Sequence, residues 1–314
     1  MNHAETDKDN SRLIPRARRE RLSHKEHKEG SAIMKQMIMS LLRISILFVV
    51  LLQVAAWLFV DSLMFHPVKD GYGADLRGYV DIGTNGVKIA AVVRGPQKGK
   101  AAIIYCHGNA EDITSSSDFF DMFALDGYTV AAVDYPGYGL SDGKPDEVGC
   151  YRNVHRLYDW LVEMRGFAPE NIAVIGFSIG TGPAVELAAT KKVGALILEA
   201  AYLSAPRIMT GRRILIIDPF PNIERIDRIN CALLSIHGTA DSIIPFLHGK
   251  QLFDLAKDPK QFVAVEGADH NDFIDVMGLD AYHSTVTGFL ESQMPALNCL
   301  ANPANVTITE RSNP

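Results

Sequence analysis

The sequence predicts an α/β fold, a mostly parallel central sheet flanked by helices, preceded by one N-terminal transmembrane helix. Three observations predict it. Short apolar, β-branched runs alternate with helix-forming stretches from residue 87 to residue 292. A Gly-x-Ser-x-Gly turn at residues 176–180 joins one such run to one such stretch. A single uncharged apolar run, residues 44–60, stands apart near the start. Regular alternation of β and α segments implies parallel strands covered on both faces, with any site at the carboxyl ends of the strands.

In chain order, residues 1–43 come first, with ten Lys/Arg against six Asp/Glu and no aromatic residue. This is the composition of a solvated, disordered tail. With a net charge of −6 for the whole chain, nucleic-acid binding is not expected. Met34 heads a start-like stretch, Met34-Lys-Gln-Met-Ile-Met-Ser40, where translation is expected to begin.

Residues 44–65 are expected to form a membrane anchor. The run 44–60 has seventeen residues without a charge, near the lower limit for a span. Trp57 and Phe59 lie near one end, where interfacial aromatics belong. Val54-Ala-Ala56 falls inside the run and no small-x-small site follows, so a retained anchor is favoured over a cleaved signal or a buried helix. The basic residues precede the span, which predicts a single pass with a cytoplasmic N-terminus and the remaining domain on the non-cytoplasmic side.

Strands are expected at 87–93, 101–106, 128–134, 172–175, 195–199, 232–236 and 261–265. Helices are expected at 118–125, 147–164, 179–189, 248–256 and 281–292. Together these define a domain over 66–295, followed by a polar tail, 296–314, that carries an Asn305-Val-Thr307 glycosylation pattern. Cys106, Cys150, Cys231 and Cys299 are scattered, with no C-x-x-C spacing for a metal or redox site. Cys106 and Cys231 lie in apolar runs and read as small core residues.

The turn Gly176-Phe-Ser-Ile-Gly180 carries the chemistry. The motif alone recurs by chance in roughly one chain in ten of this length, but its strand before and helix after make it a nucleophile elbow. Serine needs a base to take its proton and a group to orient that base. In this arrangement the chain order is Ser, acid, His. Asp241, in the loop after 232–236, is the expected acid, ahead of Asp218 and Glu199. His270, after the last strand, is the expected base, ahead of His237 and His283. Oxyanion stabilisation needs two N–H donors. One is expected from Ile179 and the other from Asn109, in His107-Gly-Asn-Ala-Glu-Asp112. Because these are main-chain donors, Asn109→Ala is expected to be tolerated. The loop Asp134-Tyr-Pro-Gly-Tyr-Gly-Leu-Ser-Asp-Gly143 lacks a phosphate-cradle pattern and reads as a turn near the site mouth, where Tyr135 and Tyr138 either line that mouth or simply pack. No metal and no organic cofactor is expected.

Together, the motifs at 107–112, 134–143, 176–180, 237–245 and 267–273 resemble the α/β-hydrolase superfamily. Within it they look most like membrane-anchored alpha/beta-hydrolase-domain serine hydrolases, close to the serine aminopeptidase-like group. The resemblance covers residues 60–295 and implies Ser178 as nucleophile, Asp241 as acid, His270 as base, and Asn109 and Ile179 at the oxyanion. Family members include esterases, thioesterases that remove fatty acyl groups from proteins, and peptidases. The expectation is a serine hydrolase of a carboxylic ester or acyl thioester. A peptidase or amidase on the same triad is the alternative, and a non-catalytic interaction module is a third reading. The segment 200–230 is too short for a large lid, which suits lipid-like acyl groups presented from a membrane. If translation starts at Met34, N-terminal peptide mapping should recover no peptide from residues 1–33; finding one would refute that start.

Overall fold

The computed structural model describes residues 16–69, 77–214 and 216–294. The first part of the basic tail, Leu215, and the polar tail with Cys299 and Asn305-Val-Thr307 lie outside the described residues. The chain divides into two units, Met1–Leu58 and Phe59–Pro314.

Helix α1 (Arg16–Met64) begins in the first unit. Residues 16–43 therefore differ from the expected disordered tail. Their physical reason is local: Arg, Lys, Glu, Ala, Met and Leu are good helix formers. Arg16–Glu20 at 3.4 Å and Lys25–Glu29 at 3.8 Å add i,i+4 ion pairs. Among the described residues, α1 is the helix long and apolar enough to cross a membrane, by length and composition.

The second unit is built on an eight-stranded sheet of order β1-β2-β4-β3-β5-β6-β7-β8. Its strands are β1 (Tyr79–Asp81), β2 (Ala90–Arg94), β3 (Ala102–Cys106), β4 (Thr129–Val133), β5 (Ile172–Phe177), β6 (Ala195–Glu199), β7 (Ala232–Gly238) and β8 (Lys260–Val265). The β1–β2 and β2–β4 pairs are antiparallel, and all later pairs are parallel. β1 was not expected, because three residues show no readable alternation. β2 starts three residues later than expected, since Val87 makes only an isolated bridge to Thr84.

Side chains alternate between two apolar layers. Ile104, Val174 and Leu196 face one layer, with α3 (Glu147–Glu163) and α4 (Thr181–Thr190). Ile103, Ile175 and Ile197 face the other, with α2 (Ser117–Leu125) and α8 (Leu279–Gln293). Burial on both faces is why these strands read as continuous apolar runs. The short helices α5 (Ala205–Thr210) and α7 (Phe273–Met277) were not anticipated, and α6 (Phe246–Leu255) starts two residues early. Cys106 and Cys150 are buried and Cys231 half-buried, all unpaired.

The sheet order sets the position of the site. The connection from β3 runs to one side, to β4, while the chain from β5 proceeds to the other, through β6 and β7. The crevice at such a switch point opens at the carboxyl ends of β3 and β5. There the backbones press together: a Cβ on Gly180 would stand 2.1 Å from Cys106 O and 2.7 Å from His107 O. Neither obstacle is a movable side chain. Gly180→Ala should therefore destabilise the protein by at least about 2 kcal/mol; an unchanged urea midpoint would contradict this packing.

Candidate active site

Ser178 follows β5 directly and takes φ +52°, left-handed for a residue with a Cβ. Such a conformation stores about 1–3 kcal/mol of strain and persists only where the surroundings enforce it. Here α4 starts three residues later, and Thr181 Oγ1 donates to Ser178 O at 2.8 Å. Tyr202 Oη donates to Ile179 O at 3.0 Å from the far side. Gly176 is required because a Cβ there would lie 2.7 Å from Ala184 Cβ.

The three residues read from sequence as nucleophile, base and acid come together. Ser178 Oγ lies 3.0 Å from His270 Nε2, and His270 Nδ1 lies 2.9 Å from Asp241 Oδ2. All three are buried. The His270 ring rests against Phe177, with centroids 5.3 Å apart. Asp241 Oδ1 accepts from the N–H groups of Ile243 at 3.0 Å and Ile244 at 2.7 Å. Burial alone would raise the Asp241 carboxyl, but bonds from His237, His270 and the Ile244 N–H outweigh it and hold the group well below the usual carboxylate range.

Asp269 and Asp272, which flank His270, act on the backbone. Asp269 Oδ1 accepts from Ser242 N–H and His270 N–H, both at 2.7 Å, which ties the Asp241 loop to the His270 loop. Asp272 Oδ1 accepts from Asp269 N–H at 2.7 Å. The other acids weighed from sequence bond elsewhere: Asp218 pairs with Arg207 at 2.6 Å, and Glu199 accepts from the Tyr282 hydroxyl. Of the other histidines, His283 pairs with Asp126 at 2.7 Å. His237 Nε2 sits 2.9 Å from Ile244 O and 3.2 Å from Asp241 Oδ2. A carbonyl only accepts, so Nε2 carries the proton and His237 is a second donor to Asp241. Sequence reading weighed His237 only as a base. Its place four residues before the acid was the available signal.

The loop after β3 carries Asn109, which borders the same crevice. Both ends of its amide are engaged, including a 2.7 Å bond from Nδ2 to Met64 O and a 2.7 Å bond from Tyr138 Oη to Oδ1. Sequence reading considered only the main-chain N–H of Asn109 and did not include these side-chain bonds. Of the two roles open to Tyr135 and Tyr138, the structure shows packing. Both are buried, and Tyr135 Oη donates to His107 O at 2.9 Å, so they support the loop from beneath.

Residues 101–229 match the family model described as alpha/beta hydrolase fold. The chain is 37% identical over 193 residues to alpha/beta hydrolase domain-containing protein 17B of Homo sapiens, covering 60% of this chain and 67% of that protein. The chain belongs to the alpha/beta-hydrolase family. It is also 34% identical over 183 residues to alpha/beta hydrolase domain-containing protein 17C of Mus musculus, covering 57% of each. Two solved structures share the fold. Alpha/beta hydrolase GrgF from Penicillium sp. sh18 has a TM-score of 0.58 at 17% identity, covering 69% of this chain and 98% of its own. The esterase EaEST from Exiguobacterium antarcticum has a TM-score of 0.53 at 15% identity, covering 69% and 100%. The family supports hydrolase activity.

In this alpha/beta hydrolase two further carboxyls lie near the crevice. Glu111 Oε2 accepts from Gly108 N–H at 3.2 Å, and burial raises its pKa. Glu199, at the end of β6, is raised from 4.5 to about 7, first by burial, with Glu111 adding to the rise and the Tyr282 bond opposing it. Glu199 was not readable as a buried acid, because its burial depends on Tyr282 of α8 packing over β6. The sign for stability follows. The unfolded chain releases this proton near 4.5 and the folded chain near 7, so stability is whole below about pH 4.5 and falls as pH rises to 7. Glu199→Gln stays neutral. Its urea midpoint should fall less than that of the wild type between pH 5 and pH 8, and equal falls would remove Glu199 as the cause.

Proposed function

We propose that this chain is a membrane-anchored serine hydrolase that cleaves a carboxylic ester or acyl thioester through an acyl-enzyme. In this reading Ser178, His270 and Asp241 are the catalytic residues, and the N–H groups of Asn109 and Ile179 are the oxyanion donors. The observation that carries it is the continuous series of hydrogen bonds from Ser178 Oγ through His270 to Asp241, at 3.0 and 2.9 Å.

The chemistry runs as follows. Ser178 Oγ attacks the substrate carbonyl while His270 Nε2 takes its proton. Asp241, held ionised by its donors, keeps the His270 Nδ1 proton in place and stabilises the imidazolium. The carbonyl oxygen gains negative charge and is met by two main-chain N–H groups. The tetrahedral species collapses, and the departing alcohol or thiol takes the proton from His270. Water then adds to the acyl-Ser178, with His270 as base, and frees the acid. No step calls for a metal or an organic cofactor.

The anchor reading assigns residues 44–65 to a single membrane pass, with the N-terminus cytoplasmic and the catalytic domain, 66–295, on the other side. Basic residues before the span support that direction. The short connection between β6 and β7, together with the anchor, supports lipid-like acyl groups as substrates.

Nitrophenyl esters of graded acyl length and an aminoacyl nitroanilide test the proposal. The esters should turn over, long chains better than short, and Ser178→Ala should lose roughly a thousandfold or more of kcat. Cleavage of the anilide alone would replace this reading with a peptidase. Folded protein that cleaves nothing and resists fluorophosphonate labelling would leave an interaction module.

A further inference from the structure

The amide of Asn109 joins three parts of the chain that are far apart in sequence. Nδ2 donates to Met64 O at 2.7 Å. Oδ1 accepts from His66 N–H at 2.9 Å, from Tyr138 Oη at 2.7 Å and from Ala110 N–H at 3.2 Å. His66 N–H also lies 3.1 Å from Tyr138 Oη, which closes a ring of bonds. The residue following Asn109 is strained: Ala110 has φ +55°, a region that residues with a Cβ seldom enter. Strain of this kind survives only where neighbouring groups hold it.

The segment reached by Asn109 is itself fixed. Phe65 is 4% exposed. Its ring sits 6.4 Å from the Tyr138 ring and 6.0 Å from the Phe220 ring. Phe220 in turn leans on Gly182, in the first turn of the helix that follows Ser178; a Cβ there would meet the Phe220 ring at 2.3 Å. The end of α1, the loop after β3 and the helix of the elbow are thus packed and bonded as one piece.

We propose that the Asn109 side chain is a positioning residue that locks the oxyanion loop to residues 64–66, where the chain leaves α1. This rests on the hydrolase reading above, in which the Asn109 N–H meets the oxyanion. A main-chain donor works only if it is aimed at the place where charge develops, with little reorganisation, and small misplacements lower the rate steeply. The backbone direction at Asn109 is set by what its own amide grips. The exit of α1 is therefore a working part of the active site as well as a tether.

The test uses the full-length chain in detergent, as wild type, Asn109→Ala and Tyr138→Phe. Three readouts are taken: kcat and KM on a short nitrophenyl ester, Ki for a trifluoromethyl ketone of the same acyl chain, and hydrogen exchange of the peptide covering residues 107–112. The ketone forms a hemiketal oxyanion on Ser178, so its Ki reports the oxyanion donors directly. Asn109→Ala should lower kcat roughly tenfold to a hundredfold, leave KM within about twofold, raise the ketone Ki in parallel and speed exchange in the loop. Tyr138→Phe removes one hydroxyl from the ring and should shift each readout the same way by less. It carries the comparison if Asn109→Ala fails to fold. Unchanged loop exchange, or a kcat loss without a matching rise in ketone Ki, would overturn the proposal. Wild type inert toward every ester would refute the hydrolase reading instead, and the exchange readout would still decide whether the lock exists.

Discussion

The close approach of two backbones governs this structure. At the ends of β3 and β5 the chain turning into α4 passes Cys106 O and His107 O so tightly that no side chain fits at Gly180. Two residues before that contact, Ser178 takes its left-handed conformation. The contact explains why the sheet must place β3 next to β5: the crevice exists only where connections leave neighbouring strands in opposite directions. Apolar layers on both faces make the sheet rigid enough to sustain a strained residue at its edge.

Around that contact, polar side chains spend themselves on the main chain. Asp269 crosslinks the loops of Asp241 and His270. Asp134 Oδ1 accepts from Ile113 N–H at 3.0 Å, joining the chain after β4 to the chain after β3. Thr181 and Tyr202 grip the elbow from opposite sides. Loops at the top of an α/β sheet have few apolar contacts of their own, so buried hydrogen bonds must supply their order. The result is a set of loops held to one another as firmly as to the sheet.

How much of this was legible in sequence depended on range. Ser178, Asp241 and His270 each stand just past an apolar run that marks its own strand, so local pattern and chain order were enough to single out three residues that the fold brings together. The alternation of Ile103, Ile104 and Tyr105 between layers follows from period two, and the sheet class followed with it. By contrast, β1 and α5 are too short to show a period, and the helical state of residues 16–43 depends on charge spacing that a disordered tail also shows. Asn109, His237 and Glu199 matter through partners 45, 4 and 83 residues away. In two of the three cases no local pattern carries that information. Sequence could not decide whether Tyr138 lines the mouth or packs, because loops are usually surface features; its ring is buried under the loop after β3.

The unpaired cysteines have a consequence for the reactivity of the folded domain. Burial raises the Cys106 and Cys150 thiols far above their ordinary value and pushes Cys231 up to about 12. Oxidation and disulfide exchange proceed through the thiolate, the form that burial disfavours at each of these positions. Burial thus disfavours the reactive form at Cys106 and Cys150, and less completely at the half-buried Cys231.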